Sequence, residues 1–243
     1  MPWHAVDPAP SWWGPYRERL QRVVPAIARG ESAAQALNAE LSRAEPIRLA
    51  AGPLRFVEAA AQPRGEAYES FIARTAAVPT RDNRHDLFNG LVWLCFPQLK
   101  RRMNELQAAD IAARGVGAMR GPLRDALTLF DENGALLRCP PVLAEALHRR
   151  DWHTLFIAQR GAWAEAELTL IGHALLDKLT SPRKAITAHV MLVEPGGDAV
   201  ARFSAERLAG KPFVPLPVLG VPGWWPANGD PAFYGDAAVF RPG

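Results

Sequence analysis

Val78 to Asn104 reads VPTRDNRHDLFNGLVWLCFPQLKRRMN. An extended apolar start runs into Asn83, a residue type that caps helices by accepting a backbone N–H. Asp86 follows three residues on, where a carboxylate favours the positive end of a helix. From Leu87 the chain is apolar to Phe96, so this helix is predicted to lie in the core. Pro97 suits the first turn of a second helix, which should run to about Ala113. Seven polar groups crowd the mouth of the apolar run: Arg81, Asp82, Asn83, Arg84, His85, Asp86 and Asn89. His85 and Asn89 are four apart and share one helix face, and Asp86 and Asn89 are three apart. A surface loop needs fewer such groups.

Working outward, Leu20, Val23, Val24 and Ile27 recur at helical spacing and predict a helix over 15–28, with Pro25 marking a kink or an early end. Ser32 and Gln35 form a capping box for a second helix to about Ser42. IRLA and LRFVEA, within 47–59, predict a hairpin or strand pair. Residues 66–75 read as a short helix. Beyond the opening stretch, LTLFDENGALL (127–137) predicts a hairpin turning at Asn133-Gly134. Helices are expected over 141–149, 164–179 and 199–209, and a strand over 186–193. From Lys211 onward, proline density excludes helix and central strand. The aromatics there argue for an extended strap plugged into the body, with Trp12 and Trp13 doing the same from the other end.

The fold class expected is α+β. It is a mainly helical single domain (1–243) with a few short strands, including the 127–137 hairpin, and an aromatic, proline-rich strap. Within it, 1–77 carries the first helices and strand pair, 78–210 the core and 211–243 the strap.

The chain has 243 residues, 49% hydrophobic and 22% charged, enough for one large core. Two cysteines make no disulfide framework in a chain this long, and Cys95 reads as a small buried apolar residue. The N-terminus lacks a secretory pattern, and no run approaches the ~18 apolar residues of a spanning helix. A soluble, cytoplasmic protein without a membrane partner is expected. Net charge is +3. The densest basic cluster, Lys100-Arg101-Arg102, reads as an exposed helix face, so nucleic acid is open as a partner but not favoured.

Four segments carry a resemblance: VPTRDNRHDLFNGLVWLCFP, RGPLRDALTLFDENG, GHALLDKL and PLPVLGVPGWWPANGDPAFYGDAAVFRP. Together they span most of the chain from Val78 to Pro242. They resemble the bacterial domain-of-unknown-function family numbered 3025. That resemblance implies no established activity and carries no catalytic residue.

The residues themselves offer three constellations. His85, Asp86 and Asn89, with Arg81, Asp82 and Asn83 around them, are of the type that binds a divalent metal or holds a general base; helix capping explains them equally well. Arg120 and Arg124 can grip a carboxylate or phosphate, and a turn stitched by Arg–Asp pairs is the plainer explanation. His173, after a glycine and four residues before Asp177, can be an oriented base or ligand. His189 is a weaker candidate of the same kind. Asp131 and Glu132 are accounted for by the predicted hairpin turn. There is no GxSxG, phosphate loop, CxxC or HExxH.

The site expected is therefore catalytic His85, Asp86, Asn89 and His173, with Arg81, Asp82, Asn83 and Arg120 binding the ligand. The function expected is hydrolysis, for which a divalent metal is a candidate cofactor. Two alternatives stand beside it. One is a non-catalytic module binding a small molecule or protein through its aromatics. The other is a divergent HNH-like nuclease, echoed in NRHDLFNGLVWLCFPQLKRRMN but lacking an upstream strand with the paired histidine.

Overall fold

The computed structural model describes residues 6–116 and 121–243. The chain divides into two compact units. The first is built mainly from Trp13–Thr128 with Phe203–Lys211, the second mainly from Leu129–Arg202 with Pro212–Gly243.

The first unit contains α1 (Arg17–Ala28), α2 (Ala33–Leu41), β1 (Arg48–Leu49), β2 (Gly52–Pro53), β3 (Arg55–Glu58), α3 (Tyr68–Thr75), β4 (Ala77–Thr80), α4 (Arg84–Cys95) and α5 (Pro97–Arg114). Helix α1 continues through Pro25, and α2 opens on the expected Ser32–Gln35 capping box. The predicted strand pair is half right. β1 and β2 form a minimal antiparallel hairpin, but β3 leaves it and pairs in parallel with β4, with α3 as the crossover.

Helix α4 is the centre of this unit. Every residue from Asp86 to Leu94 is buried, as a helix covered on all sides requires. It lies against α2, β4 and α5. Trp13 stacks on its Phe88 at 5.4 Å. The approach of α2 is possible because position 90 is glycine; a Cβ there would press into the fully buried Leu37, with Cδ2 at 2.9 Å.

Helix α6 (Pro122–Asn133) is counted with the first unit up to Thr128 and with the second from Leu129. The second unit continues with β5 (Gly134–Arg138), α7 (Pro141–His148), β6 (Glu167–Leu170), α8 (His173–Lys178) and β7 (Thr187–Leu192). Helix α9 (Ala205–Ala209) belongs to the first unit, and β8 (Val214–Pro217) to the second. The sheet order is β6-β5-β7-β8, with β5 and β7 parallel and both outer pairs antiparallel.

The 127–137 hairpin is corrected. Residues 127–133 are helical and the strand starts directly at Gly134. The buried Ala126, Leu127 and Phe130 follow helical, not alternating, spacing. Gly134 is needed because a Cβ there would strike the Phe130 carbonyl, so helix passes to strand without a loop. The helix predicted over 164–179 is corrected too: a 3-10 helix ends at Glu165, Glu167–Leu170 is an edge strand on β5, and only His173–Lys178 is α-helical. Over 199–209 a short 3-10 turn precedes α9, which starts after a Ser204 cap.

The C-terminal strap is as expected. Its one strand, β8, is at the sheet edge, where Pro215 and Pro217 are tolerated. Tyr234 stacks on Phe156 at 5.1 Å, Phe240 meets it edge-on at 6.0 Å, and Trp224 meets Trp12 at 6.0 Å. Among the described residues no helix is long and apolar enough to cross a membrane.

The contact at Gly90 has a direct test. Gly90→Val overpacks the α2–α4 contact and should cost about 1–3 kcal/mol. Urea unfolding should show a lower midpoint.

Candidate functional site

The entrance to α4 is built as the capping pattern dictates. Asn83 Oδ1 accepts from the Asp86 amide at 2.8 Å. Asp86 receives the Arg81 backbone amide at 2.8 Å and grips its guanidinium at 3.0 and 3.1 Å. That hydrogen bond raises the Arg81 pKa further above its ordinary value. Asp82 accepts from the Ala33 amide at 2.8 Å and so ties α4's entrance to the start of α2. His85 is half-buried on the first turn. Strand β4, just upstream, carries no histidine.

Asn89 faces inward to a second polar group. Its Nδ2 donates to the Tyr68 hydroxyl and its Oδ1 accepts from Lys100 Nζ, each at 2.8 Å. Lys100 also sits over the Trp93 ring, 5.5 Å from its centroid. The predicted exposed basic face is thus corrected at its first member, for Lys100 is only 5% exposed. It belongs to the buried stripe Lys100, Met103, Asn104, Gln107 and Ile111 of α5. Counting charges in a row missed this; helical spacing from Met103 and Ile111 finds it.

In the second unit, β6 delivers Gly172-His173 to the end of α6. The Ile171 and Gly172 amides both donate to the Gly134 carbonyl, at 2.9 and 2.8 Å. A Cβ on Gly172 would come within 2.5 Å of the Glu132 carbonyl and the Asn133 amide, so only glycine fits. His173 is thereby pressed between two carboxylates. Nδ1 is 3.8 Å from Asp131 Oδ2 and Nε2 is 3.5 Å from Glu132 Oε1. Lys178, at the other end of α8, donates to Asn133 Oδ1 at 2.7 Å.

Asp131 and Glu132 are not turn residues but the last turn of α6. Two carboxylates at the negative end of a helix repel it. A cation between them and the histidine offsets that cost. Sequence reading credited His173 and discounted both acids, because the hairpin hid the helical turn that presents them.

Residues 54–243 match the family described as protein of unknown function (DUF3025). The chain belongs to this family. No curated protein and no solved structure matches it. The DUF3025 region holds β3, α4 and α5 and the whole of the second unit from Leu129, and so every group of both polar clusters.

Within that region His189 sits on β7 directly opposite Gly134 of β5. Burial, and then the Lys178 charge, lower its pKa from the usual 6.5. Both cysteines go the other way: burial raises Cys95 and Cys139 to about 11, so neither is a thiolate near neutrality. Cys95 is only partly buried, less enclosed than expected. Arg124 is buried on α6, and its Nε has no hydrogen-bond partner among the described residues. Arg120, expected to bind ligand, lies outside the described residues.

Two outcomes follow from these contacts. Asn89→Ala strips a partner from both Lys100 and Tyr68 and should cost about 1–3 kcal/mol in urea unfolding. For His189, the folded pKa is below the unfolded one, so the unfolded chain binds more protons in acid. Its contribution is intact above pH 6.5 and is lost as pH falls through the lowered folded value. His189→Gln should therefore lose less Tm than the parent chain on going from about pH 7.5 to about pH 5; equal losses would refute the assignment.

Proposed function

We propose that the protein is a metal-assisted hydrolase whose metal ligands include His173 and Glu132. The observation that carries this reading is the buried imidazole held between Asp131 and Glu132. Asp131 lies on the Nδ1 side of the ring at 3.8 Å and Glu132 on the Nε2 side at 3.5 Å, so Nε2 would be the ligand atom and Asp131 the outer carboxylate. A divalent cation placed between Nε2 and Glu132 Oε1, 3.5 Å apart, would be shared by both lone pairs. Ligand atoms about 2.1 Å from a common ion and that far apart subtend about 113°, near the tetrahedral angle.

A divalent ion in that place would lower the pKa of bound water and supply hydroxide near neutrality. The chain's own tasks are narrower. Asp131 orients the imidazole, Glu132 supplies negative charge, and Gly172 lets the two elements touch. His189, kept neutral by its lowered pKa, is a neighbouring base of the right protonation state. In this reading Asp82, Asn83 and Asp86 serve as caps and an ion pair, and Asn89 as a support for Lys100.

Titration calorimetry with Zn²⁺ and Mn²⁺ tests the reading, alongside hydrolysis of bis-p-nitrophenyl phosphate and p-nitrophenyl acetate. One ion should bind per chain. His173→Ala and Glu132→Gln should abolish binding, and Asp131→Asn should weaken it about 10–100-fold. Metal-dependent hydrolysis should disappear in the same variants. Undiminished metal binding by His173→Ala would move the centre elsewhere, and no binding of any divalent ion would remove metal assistance.

A further inference from the structure

The second unit also contains a cavity of about 240 Å³, lined among others by Arg150, Trp152, Thr187, Pro215, Val239 and Arg241. Its character is unlike that of the His173 cluster. The lining is apolar apart from Thr187 and the two arginines, and it contains no carboxylate. Two arginines, both exposed, are therefore among its lining residues, and no acidic residue is.

The backbone at Arg150 adds an independent sign. Helix α7 ends in a left-handed closing turn: the Arg150 amide donates to Leu147 and the Asp151 amide to Ala146, at 3.0 and 2.9 Å. Arg150 occupies the left-handed position, with φ of 50°. Glycine takes that position most easily, because an L side chain there meets its own backbone. An arginine is strained in it. The same residue is one of those that line the cavity. Arg241 is tied in through its backbone: Trp152 Nε1 donates to its carbonyl at 2.6 Å, which fixes the end of the strap at the cavity wall.

We infer that this cavity binds a small organic anion, one ring bearing one carboxylate or phosphate. Size sets the ring: a cavity of about 150 Å³ accommodates benzene, so one of this volume takes a ring and one acidic group. Charge sets the acid, since planar guanidinium groups pair with carboxylate and phosphate oxygens through paired N–H donors. Trp152, Pro215 and Val239 supply the apolar bed for the ring. The site stands apart from the metal reading and does not rest on it.

Calorimetric titration of the full chain with benzoate and with phenyl phosphate, at low salt, tests it. Benzamide serves as the neutral control. At least one anion should bind saturably with one site per chain, and benzamide should bind at least tenfold more weakly. Arg241→Gln should weaken the anion at least tenfold. Arg150→Gly is the sharper variant. It relieves the left-handed residue and should raise Tm, yet it should weaken the anion at least tenfold. Binding that survives both substitutions, equal binding of benzamide, or no saturable binding of either anion would overturn the inference.

Discussion

The second unit depends on the carbonyl of Gly134. It accepts two amides, those of Ile171 and Gly172, at the point where α6 becomes β5 with no loop between. Both neighbouring glycines are compelled. At 134 a side chain would strike the Phe130 carbonyl, and at 172 it would strike the α6 backbone. This close junction brings the α6 carboxylates to His173. Across the sheet, the same Gly134 pairs with His189 of β7. A looser connection would leave two acids at the negative end of a helix with only solvent to shield them.

The first unit is governed by a different constraint. A helix buried on every side has no wet face on which to place polar groups, so each of them must find a partner inside. Asn89 does so by joining Tyr68 to Lys100, and Lys100 adds the face of Trp93. At the helix entrance Asn83, Asp86 and Asp82 satisfy amides that would otherwise be stranded. Arg81, Asp82, Asn83, Asp86 and Asn89 thus each have a structural account. The chemistry proposed here draws instead on the imidazole edge of His173 and the carboxylates facing it.

Local rules were legible wherever one residue and its near neighbours settle the matter. The Ser32 capping box, the Asn83 cap, Pro97 at the first turn of α5 and the edge position of the proline-rich strand all depend on contacts within a few residues. Failure came where two local rules competed. Asn133-Gly134 is a good hairpin turn and also a good helix end followed by a glycine. The apolar runs on either side favoured the first; the helical period through Ala126, Leu127 and Phe130 favours the second and won, because it buries three side chains on one stripe.

By itself the sequence determined the α+β class, the buried α4 with its capped entrance, the aromatic strap and the family resemblance. These follow from propensity, periodicity and composition, which act over short distances. Only the tertiary structure decided which polar groups meet. Asp131 and Glu132 are about forty residues from His173. Their encounters are set by strand pairing and by glycines that admit close backbone contact. Neither leaves a mark on the spacing of the residues concerned, because a sheet brings together whatever its register aligns.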